Sequence, residues 1–471
     1  AMAVNDDTDA GGDSTLNEDC NDFGVVTATA GGNVDLRDGD GFTVGDGSLA
    51  GSDFSARADA GTLTVGGDTD NSGYAADTST LNAVAGTIAL NAPITTTTSL
   101  TPVNVTTVEL NDNGVLADAV TLAAGQSIDA SANTLINTFA TGDLGTVATL
   151  IGDDTNDTLQ FGDGGVSINI TGLNDGNDGS LNFQDMPNLA SGTGNDSYTV
   201  ADGASVGSID VGDGANTVDY SAYTIGATIS VGDHLVANSG TASLAITGSG
   251  NNDTLTAAAG GTAYTLTGTD TGSVAAGAAT YTFSSFETLR GGAGADTLNL
   301  RNVTNAVTLT GVGDGTVGDL SVGFEDIETL NAGTATDDNL TGTNAADIFS
   351  LTANDAGSVT DTVPTTLIAF SGFESYNGSV GTDRIELPGV GIGDINITAD
   401  NAGDWAAGAY SFASIESLQA TPGDDTLTFG DGFDLDGTID GNGGTDTYDY
   451  SAYTTGLTLD LAGFSGGATV T

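Results

Sequence analysis

The chain repeats a pattern in which three apolar residues, spaced three apart, precede a glycine-rich turn that carries one aspartate. Residues 283–300 give the clearest copy: Phe283, Phe286 and Leu289 are apolar, and Asp296 and Leu298 stand seven and nine residues beyond Leu289. Copies with this spacing begin at Phe183, Phe370 and Phe412, one with an extra residue begins at Phe324, and weaker ones begin at Leu144 and near residue 240. The starts lie about 39 to 57 residues apart, a period typical of repeat architectures.

Short segments between the turns alternate apolar residues with threonine or serine, as in TLTVGG, TISVG and LTLDLAG. Such alternation is typical of half-buried strands, and the 72 glycines and six prolines favour tight turns between them. The sequence therefore predicts an all-β fold: an elongated repeat protein, either a β-solenoid or tandem β-modules, with a separate N-terminal β-domain. The predicted boundaries are residues 1–140 for that domain, which could serve assembly, and residues 141–471 for a calcium-binding array with units of about 40–57 residues.

A longer duplication overlies the repeat. IDVGDGANTVDYSAY at residues 209–223 and IDGNGGTDTYDYSAY at residues 439–453 resemble each other more closely than they resemble their neighbours. The same structural element is therefore expected twice.

The charge restricts the partners of this protein. The chain has 64 acidic residues, five arginines and no lysine, so its formal net charge is −59. A nucleic-acid ligand needs a basic surface, and anionic membranes repel such a chain, whereas cations are attracted to it. No run of 18 apolar residues is present, so membrane insertion is not expected. Cys20 is the one cysteine and cannot form an internal disulfide.

The turn sequences GGAGADTL, GTGNDSY, PGDDTL, GNNDTL and GTDRI resemble the G-G-x-G-x-D-x-U-x repeat of the RTX, or haemolysin-type, calcium-binding proteins. That family is bacterial and secreted, and the resemblance implies that turn aspartates and backbone carbonyls bind Ca²⁺, which takes about six to eight oxygen ligands. RTX repeats follow one another directly, whereas here single copies are dispersed, as in bacterial adhesins, surface-layer proteins and extracellular matrix proteins. The candidate calcium ligands are Asp157, Asp163, Asp196, Asp202, Asp253, Asp296, Asp337, Asp383, Asp424, Asp425, Asp431 and Asp446.

Two groups of acidic residues have alternative interpretations. Asp163, Asp202 and Asp431 follow a turn aspartate by six residues and precede glycine, so they either complete a calcium shell or act as ordinary Asp-Gly turn residues. Four of the eight glutamates share one repeat position, where they either bind an ion between coils or cap a strand end facing solvent: Glu287, Glu328, Glu374 and Glu416.

Candidate catalytic residues are scarce. His234 is the one histidine, Trp405 the one tryptophan and Cys20 the one thiol, so no Cys–His pair has a natural spacing and lysine chemistry is absent. His234 is interpreted as a strand-end residue. The protein is therefore predicted not to be an enzyme.

The sequence favours a structural, calcium-stabilised extracellular protein that assembles head to tail into a filament, surface layer or biofilm matrix. The terminal segment 454–471, with the strand-like stretch LTLDLAGF, is the predicted joint between copies. In the alternative, the repeats form the stalk of an adhesin whose N-terminal region binds a glycan or another surface, with cell-surface polysaccharide as a candidate partner. A secreted enzyme with an RTX-like tail is the third interpretation.

Overall fold

The computed structural model describes residues 157–232, 234–236, 243–276, 279–361, 365–389, 394–459 and 469–470, together with separate strands and short segments before residue 153. Every element with defined bounds in these residues is a β-strand. Two features of the sequence analysis, Cys20 and residues 460–468 of the terminal segment, lie outside the described residues. Within them, no helix is long and apolar enough to cross a membrane.

Before residue 152 the strands are Met2–Asn5, Ser14–Asn17, Val25–Thr29, Val34–Asp38, Phe42–Val44, Ser48–Leu49, Asp53–Ala58, Thr62–Val65, Tyr74–Ala83, Thr87–Leu90, Ile94–Val103, Thr107–Leu110, Ser127–Asp129, Thr138–Ala140 and Thr149–Ile151. The next strands are Thr158–Gln160, Ser167–Ile170, Gly176–Asn177, Asn182–Gln184, Asn188–Ala190, Ser197–Val200, Ser208–Asp210, Ala215–Asp219, Thr228–Ser230, Leu235–Val236, Ser243–Thr247, Thr254–Thr256, Ala263–Gly268, Thr271–Ala276, Ala279–Ser284, Thr288–Arg290 and Thr297–Asn299. The remaining strands are Ala306–Gly311, Asp314–Val317, Gly323–Glu325, Thr329–Asn331, Asn339–Thr341, Asp347–Ala353, Ala356–Asp361, Thr366–Ser371, Ser375–Asn377, Arg384–Glu386, Ile395–Ala399, Ala402–Trp405, Tyr410–Ala413, Ser417–Gln419, Thr426–Phe429, Ile439–Asp440, Thr447–Asp449 and Thr469–Val470.

Contacts between residues divide the chain into two units. Unit 1 comprises residues 1–224 and 234–244, and unit 2 comprises residues 225–233 and 245–471. In unit 1, parallel strands from successive turns of the chain, here called coils, align in register. One row of aligned residues is Leu63, Ile88, Val108, Ile128, Leu150 and Phe183, and a second is Phe139, Leu159, Leu189, Ile209 and Leu235. Parallel pairing in the first row continues across residue 140. A separate N-terminal domain of residues 1–140 remains a prediction.

Unit 2 is built from the same kind of row. Its parallel rows are Ile229, Leu255, Leu289 and Phe324; Tyr264, Leu298, Leu330 and Phe370; Val307, Leu340, Tyr376 and Phe412; Phe349, Ile385, Leu418 and Ile439; and Ile395, Leu427, Tyr448 and Val470. Nearly all of these side chains are buried. Successive residues along a strand point to opposite faces of the sheet, and here the apolar residues occupy the inward face. The prediction of an all-β repeat fold is confirmed.

The first aromatic position of the motif lies in the last strand of a three-stranded antiparallel meander. One such meander consists of the strands Ala306–Gly311, Asp314–Val317 and Gly323–Glu325. The ring of Phe324 lies over Gly315 in the middle strand, where an added Cβ would be 2.5 Å from Phe324 Cζ. Equivalent glycine and phenylalanine partners are Gly176 with Phe183, Gly272 with Phe283, Gly357 with Phe370, and Gly403 with Phe412. The aromatic ring covers a strand position that has no side chain of its own.

The second apolar position of the motif is fixed by the tip of the same meander. The backbone nitrogens of Met186, Phe286, Ile327, Phe373 and Ile415 donate to tip carbonyls of Asn174, Asp270, Gly313, Asp355 and Asn401, at 2.9–3.2 Å. The residue before each donor has a positive φ, namely Asp185, Ser285, Asp326, Gly372 and Ser414. A left-handed residue at this point turns the following apolar side chain into the core.

Candidate functional site

The motif places one aspartate of each turn inside the protein. Asp296 and Leu298 are two residues apart at the start of a strand, so they point to the same face, and both are fully buried. Nine aspartates, here called the turn aspartates, are exposed by 6% or less: Asp157, Asp196, Asp253, Asp296, Asp338, Asp347, Asp383, Asp425 and Asp446. Burial of so many carboxylates requires compensating hydrogen bonds or cations.

Hydrogen bonds between coils supply part of this compensation. In six pairs, a backbone N–H of one coil donates to a turn aspartate of a later coil, with the nitrogen 2.5–3.1 Å from Oδ1. The pairs are Val166 with Asp196, Ala227 with Asp253, Thr262 with Asp296, Asn305 with Asp338, Asp347 with Asp383, and Asp425 with Asp446. The carboxylate therefore joins one coil to the next and satisfies a donor at the start of a strand.

The four repeated glutamates complete this arrangement. The backbone N–H of four turn aspartates donates to the Oε2 atom of a glutamate in the following coil, at 2.7–3.0 Å. These pairs are Asp253 with Glu287, Asp296 with Glu328, Asp338 with Glu374, and Asp383 with Glu416. In three pairs the glutamate backbone N–H returns a bond to the aspartate carbonyl, as from Glu328 to Asp296 at 3.2 Å. Glu328 is exposed and the other three glutamates are half-buried.

The second carboxylate oxygen separates the turns into two kinds. In the first kind it closes its own turn: Gly292 N–H donates to Asp296 at 3.0 Å, Thr343 N–H donates to Asp347 at 2.6 Å, and Ser249 N–H donates to Asp253 at 2.5 Å. Asp425 accepts the Thr421 hydroxyl at 2.9 Å. In each of these four aspartates, both carboxylate oxygens therefore have a hydrogen-bond donor.

In the second kind of turn, one oxygen is buried without a hydrogen-bond partner among the described residues. These atoms are Asp196 Oδ2, Asp338 Oδ2, Asp383 Oδ2 and Asp446 Oδ2, together with Asp213 Oδ1. At Asp383 and Asp446 the residue four positions earlier donates instead to a neighbouring side chain, Ser379 N–H to Asn377 and Asn442 N–H to Asp440. A buried carboxylate oxygen without a donor is costly unless a proton, water or cation reaches it.

Burial raises the pKa of several of these groups. Desolvation is the main cause at Asp383, where the pKa rises to about 6 although the N–H of Asp347 opposes the change. Desolvation likewise raises the pKa of Asp196, Asp338, Asp347, Asp425 and Asp446. It also raises the pKa of Glu287 and Glu374. Each raised pKa records a preference of the folded protein for the neutral acid.

The structure places the Asp-Gly aspartates outside these rows. Asp202 and Asp431 are exposed, and each accepts the N–H and the hydroxyl of a threonine about one coil later, Thr224 or Thr454, at 2.8–2.9 Å. The backbone N–H of that threonine lowers the pKa of both aspartates, and its hydroxyl adds to the effect. Asp163 is also exposed, and its backbone carbonyl accepts the Thr193 hydroxyl at 3.5 Å.

Some predicted ligands take other positions, and some turn aspartates were missed. Asp337 is exposed with φ 68°, and Asp338 occupies the buried position, because Asp338 is the residue two positions before Leu340. Asp424 is exposed and accepts the N–H of Thr445 at 2.7 Å. Sequence analysis missed the turn aspartates Asp338 and Asp347, and it also missed Asp213. The spacing Asp-x-apolar would have found Asp338 and Asp347.

The turns of residues 191–196 and 211–216 stack directly on each other. Asp213 N–H donates to Gly192 O at 3.0 Å, and the carbonyl oxygens of Ser191 and Gly192 lie 2.6 and 2.1 Å from where a Cβ of Gly212 would be. Gly212 has φ +64°, so glycine is required there both for backbone conformation and for close approach. This stack contains two of the unpartnered oxygens, on Asp196 and Asp213.

In the part of the chain that the structure describes, no three His, Cys, Asp or Glu side chains converge as a metal-binding group. Comparison of the chain with protein-family models, curated proteins and solved structures gave no match.

Proposed function

We propose that this is a non-enzymatic structural protein in which stacked β coils form a scaffold outside the cell. The observation that carries the proposal is the use of the acidic residues: turn aspartates and repeated glutamates bond successive coils to each other, as in the series Thr262, Asp296 and Glu328. Acidic groups with this role stabilise the fold, so a catalytic or substrate-binding role is not needed to explain them.

We further propose that calcium binds where the turns leave carboxylate oxygens unpartnered. The stacked turns 191–196 and 211–216 fit a hard cation best, because Asp196 and Asp213 each offer a free buried oxygen and glycines bring backbone carbonyls close. Asp338, Asp383 and Asp446 offer one such oxygen each. Asp253 and Asp296 fit less well, because each carboxylate already accepts one N–H from the preceding coil and one from its own turn. Asp347 also fits less well, because its carboxylate accepts the N–H and the hydroxyl of Thr343. Bound calcium would neutralise charge in a chain of net charge −59.

Self-association and an extracellular location belong to the same proposal. Parallel rows join coil to coil through backbone hydrogen bonds, and the same bonding can join one copy to another in a head-to-tail filament or layer. Millimolar calcium outside cells suits weak carboxylate and carbonyl sites.

Calorimetric titration of calcium into the full chain tests the metal part of the proposal. Asp196→Asn and Asp213→Asn should each weaken the strongest binding at least about tenfold, because each removes a charged ligand. Asp400→Asn, at an exposed aspartate, is the matched control and should leave that binding unchanged. Equal, salt-sensitive binding by all four proteins would show only general attraction to a polyanion.

Light scattering and electron microscopy test the scaffold part separately. Added calcium should increase the size of particles formed by the native chain, and EGTA should reverse the increase. A chain that binds calcium at Asp196 and Asp213 but stays monomeric at millimolar calcium would contradict self-assembly alone.

A further inference from the structure

His234 lies between two coils of unit 1. It directly precedes the strand Leu235–Val236, which pairs in parallel with Ser208–Asp210, and its carbonyl accepts the N–H of Ile209 at 2.8 Å. It is the one histidine of the chain. Its side chain is only partly accessible to solvent.

Both ring nitrogens of His234 have partners of defined polarity. Nδ1 lies 2.9 Å from the carbonyl oxygen of Gly207, which can only accept, so Nδ1 carries a hydrogen. Nε2 lies 3.3 Å from the hydroxyl of Tyr220. In the neutral ring Nε2 is an acceptor, and the hydroxyl donates to it. One neutral tautomer therefore satisfies both contacts.

Tyr220 belongs to the segment 219–224, here called the tyrosine segment. Tyr220 is 3% exposed, and its ring meets that of Tyr223 edge to face with centroids 5.5 Å apart. The Tyr223 hydroxyl donates to the carbonyl of Ala204, and Thr224 donates twice to Asp202. His234 therefore contacts a segment that is hydrogen-bonded to the preceding coil.

We propose that His234 is a proton-sensitive contact that holds the tyrosine segment of unit 1 in place at neutral pH and weakens its attachment in mild acid. A second ring proton would turn Nε2 into a donor facing a hydroxyl that had donated to it. That hydroxyl would have to rotate away from the ring inside a buried site, and the charged ring would lose solvation.

The electrostatic surroundings agree with this geometry. Burial lowers the pKa of His234 below its ordinary 6.5, while the bond to Gly207 acts in the opposite direction. Tyr220 is the titratable group that faces the ring among the described residues. Because the folded protein prefers the neutral ring, the unfolded chain takes up the proton first as the pH falls. The contribution of His234 to stability is therefore present above pH 6.5 and declines below it.

The second copy of the tyrosine segment, residues 449–454, provides an internal comparison. Tyr453 donates to the carbonyl of Phe433 at 2.5 Å, and Thr454 donates twice to Asp431, as in the first copy. Tyr450, the counterpart of Tyr220, stacks on Phe429 with centroids 4.2 Å apart and an interplanar angle of 10°. Tyr450 thus has an aromatic partner from an earlier strand, whereas the hydroxyl of Tyr220 has the imidazole of His234 as its partner.

Nuclear magnetic resonance of the full chain with isotope-labelled histidine tests the proposal, because a chain with one histidine gives one ring signal to follow. The His234 signal should titrate below 6.5 in the native chain. Tyr220→Phe should raise that midpoint, since it removes the hydroxyl that favours the neutral ring. Tyr450→Phe is the matched control and should leave the midpoint unchanged.

A stability measurement separates a proton-sensitive contact from a histidine that merely fills space. The difference in melting temperature between the native chain and His234→Gln should shrink or reverse between pH 7.5 and 5.5, because glutamine stays neutral while the carboxylates titrate equally in both proteins. A midpoint at or above 6.5 in the native chain, or a melting difference independent of pH, overturns the proposal even if Tyr220→Phe does not fold.

Discussion

Replacing Asp296 by alanine tests whether the turn aspartates stabilise the fold by themselves. Asp296 is fully buried, and its carboxylate accepts the N–H of Thr262 at 2.7 Å and that of Gly292 at 3.0 Å. Asp296→Ala leaves both donors without a partner, and each costs about 1–3 kcal/mol, so the expected loss in the free energy of unfolding is about 2–6 kcal/mol. Asp296→Asn retains one acceptor oxygen and should lose about half as much.

Glu328→Ala is the graded comparison. Its carboxylate accepts the N–H of Asp296 at 2.7 Å, but Glu328 is exposed, so water can replace it and the expected loss is about 0.5–1.5 kcal/mol. Urea unfolding of all variants in EGTA, with hydrogen exchange at the amides of Thr262 and Gly292, measures these losses. If Asp296→Ala matches the native chain in EGTA and differs from it only with calcium, the carboxylate acts through a metal and the hydrogen-bond argument is refuted.

Two further predictions concern pH and packing. Burial raises the pKa of Asp383 from 3.8 to about 6, so the folded state holds the proton more tightly than the unfolded state. The stability of the native chain relative to Asp383→Asn should therefore fall by about 2 kcal/mol as the pH rises from 4 to 7, and a constant difference in urea unfolding would contradict this. Gly315→Ala should lower the free energy of unfolding by about 1–3 kcal/mol, because the new Cβ would lie 2.5 Å from Phe324 Cζ and 2.7 Å from Thr308 O. Gly318→Ala, which meets no atom within 4 Å, should change it by less than about 0.5 kcal/mol, and equal melting temperatures for the two variants would contradict the packing argument.

The repeat and its inward-facing residues could be predicted from the sequence. Phe283, Phe286, Leu289 and Leu298 are all buried, as their spacing indicates. The all-β class followed from the alternation of apolar residues with threonine and from the abundance of glycine. These properties depend on local backbone geometry, which short stretches of sequence specify directly.

The partners of the acidic residues were decided by the stacking of the coils. Thr262 and Asp296 are 34 residues apart, as are Asp253 and Glu287, and nothing local brings either pair together. The glutamates at the shared repeat position were expected either to bind an ion or to cap a strand in solvent. In the structure each of these glutamates accepts the N–H of the turn aspartate in the preceding coil.

The sequence by itself determined that each turn carries an aspartate and that the residue two positions later is buried, because strand alternation puts both on one face. Only the tertiary structure decided which backbone N–H groups donate to each buried carboxylate, and which carboxylate oxygens have no donor among the described residues. The physical reason is that a hydrogen bond between coils depends on the register of strands that are some 30 residues apart, and that register is set by the packing of whole apolar rows.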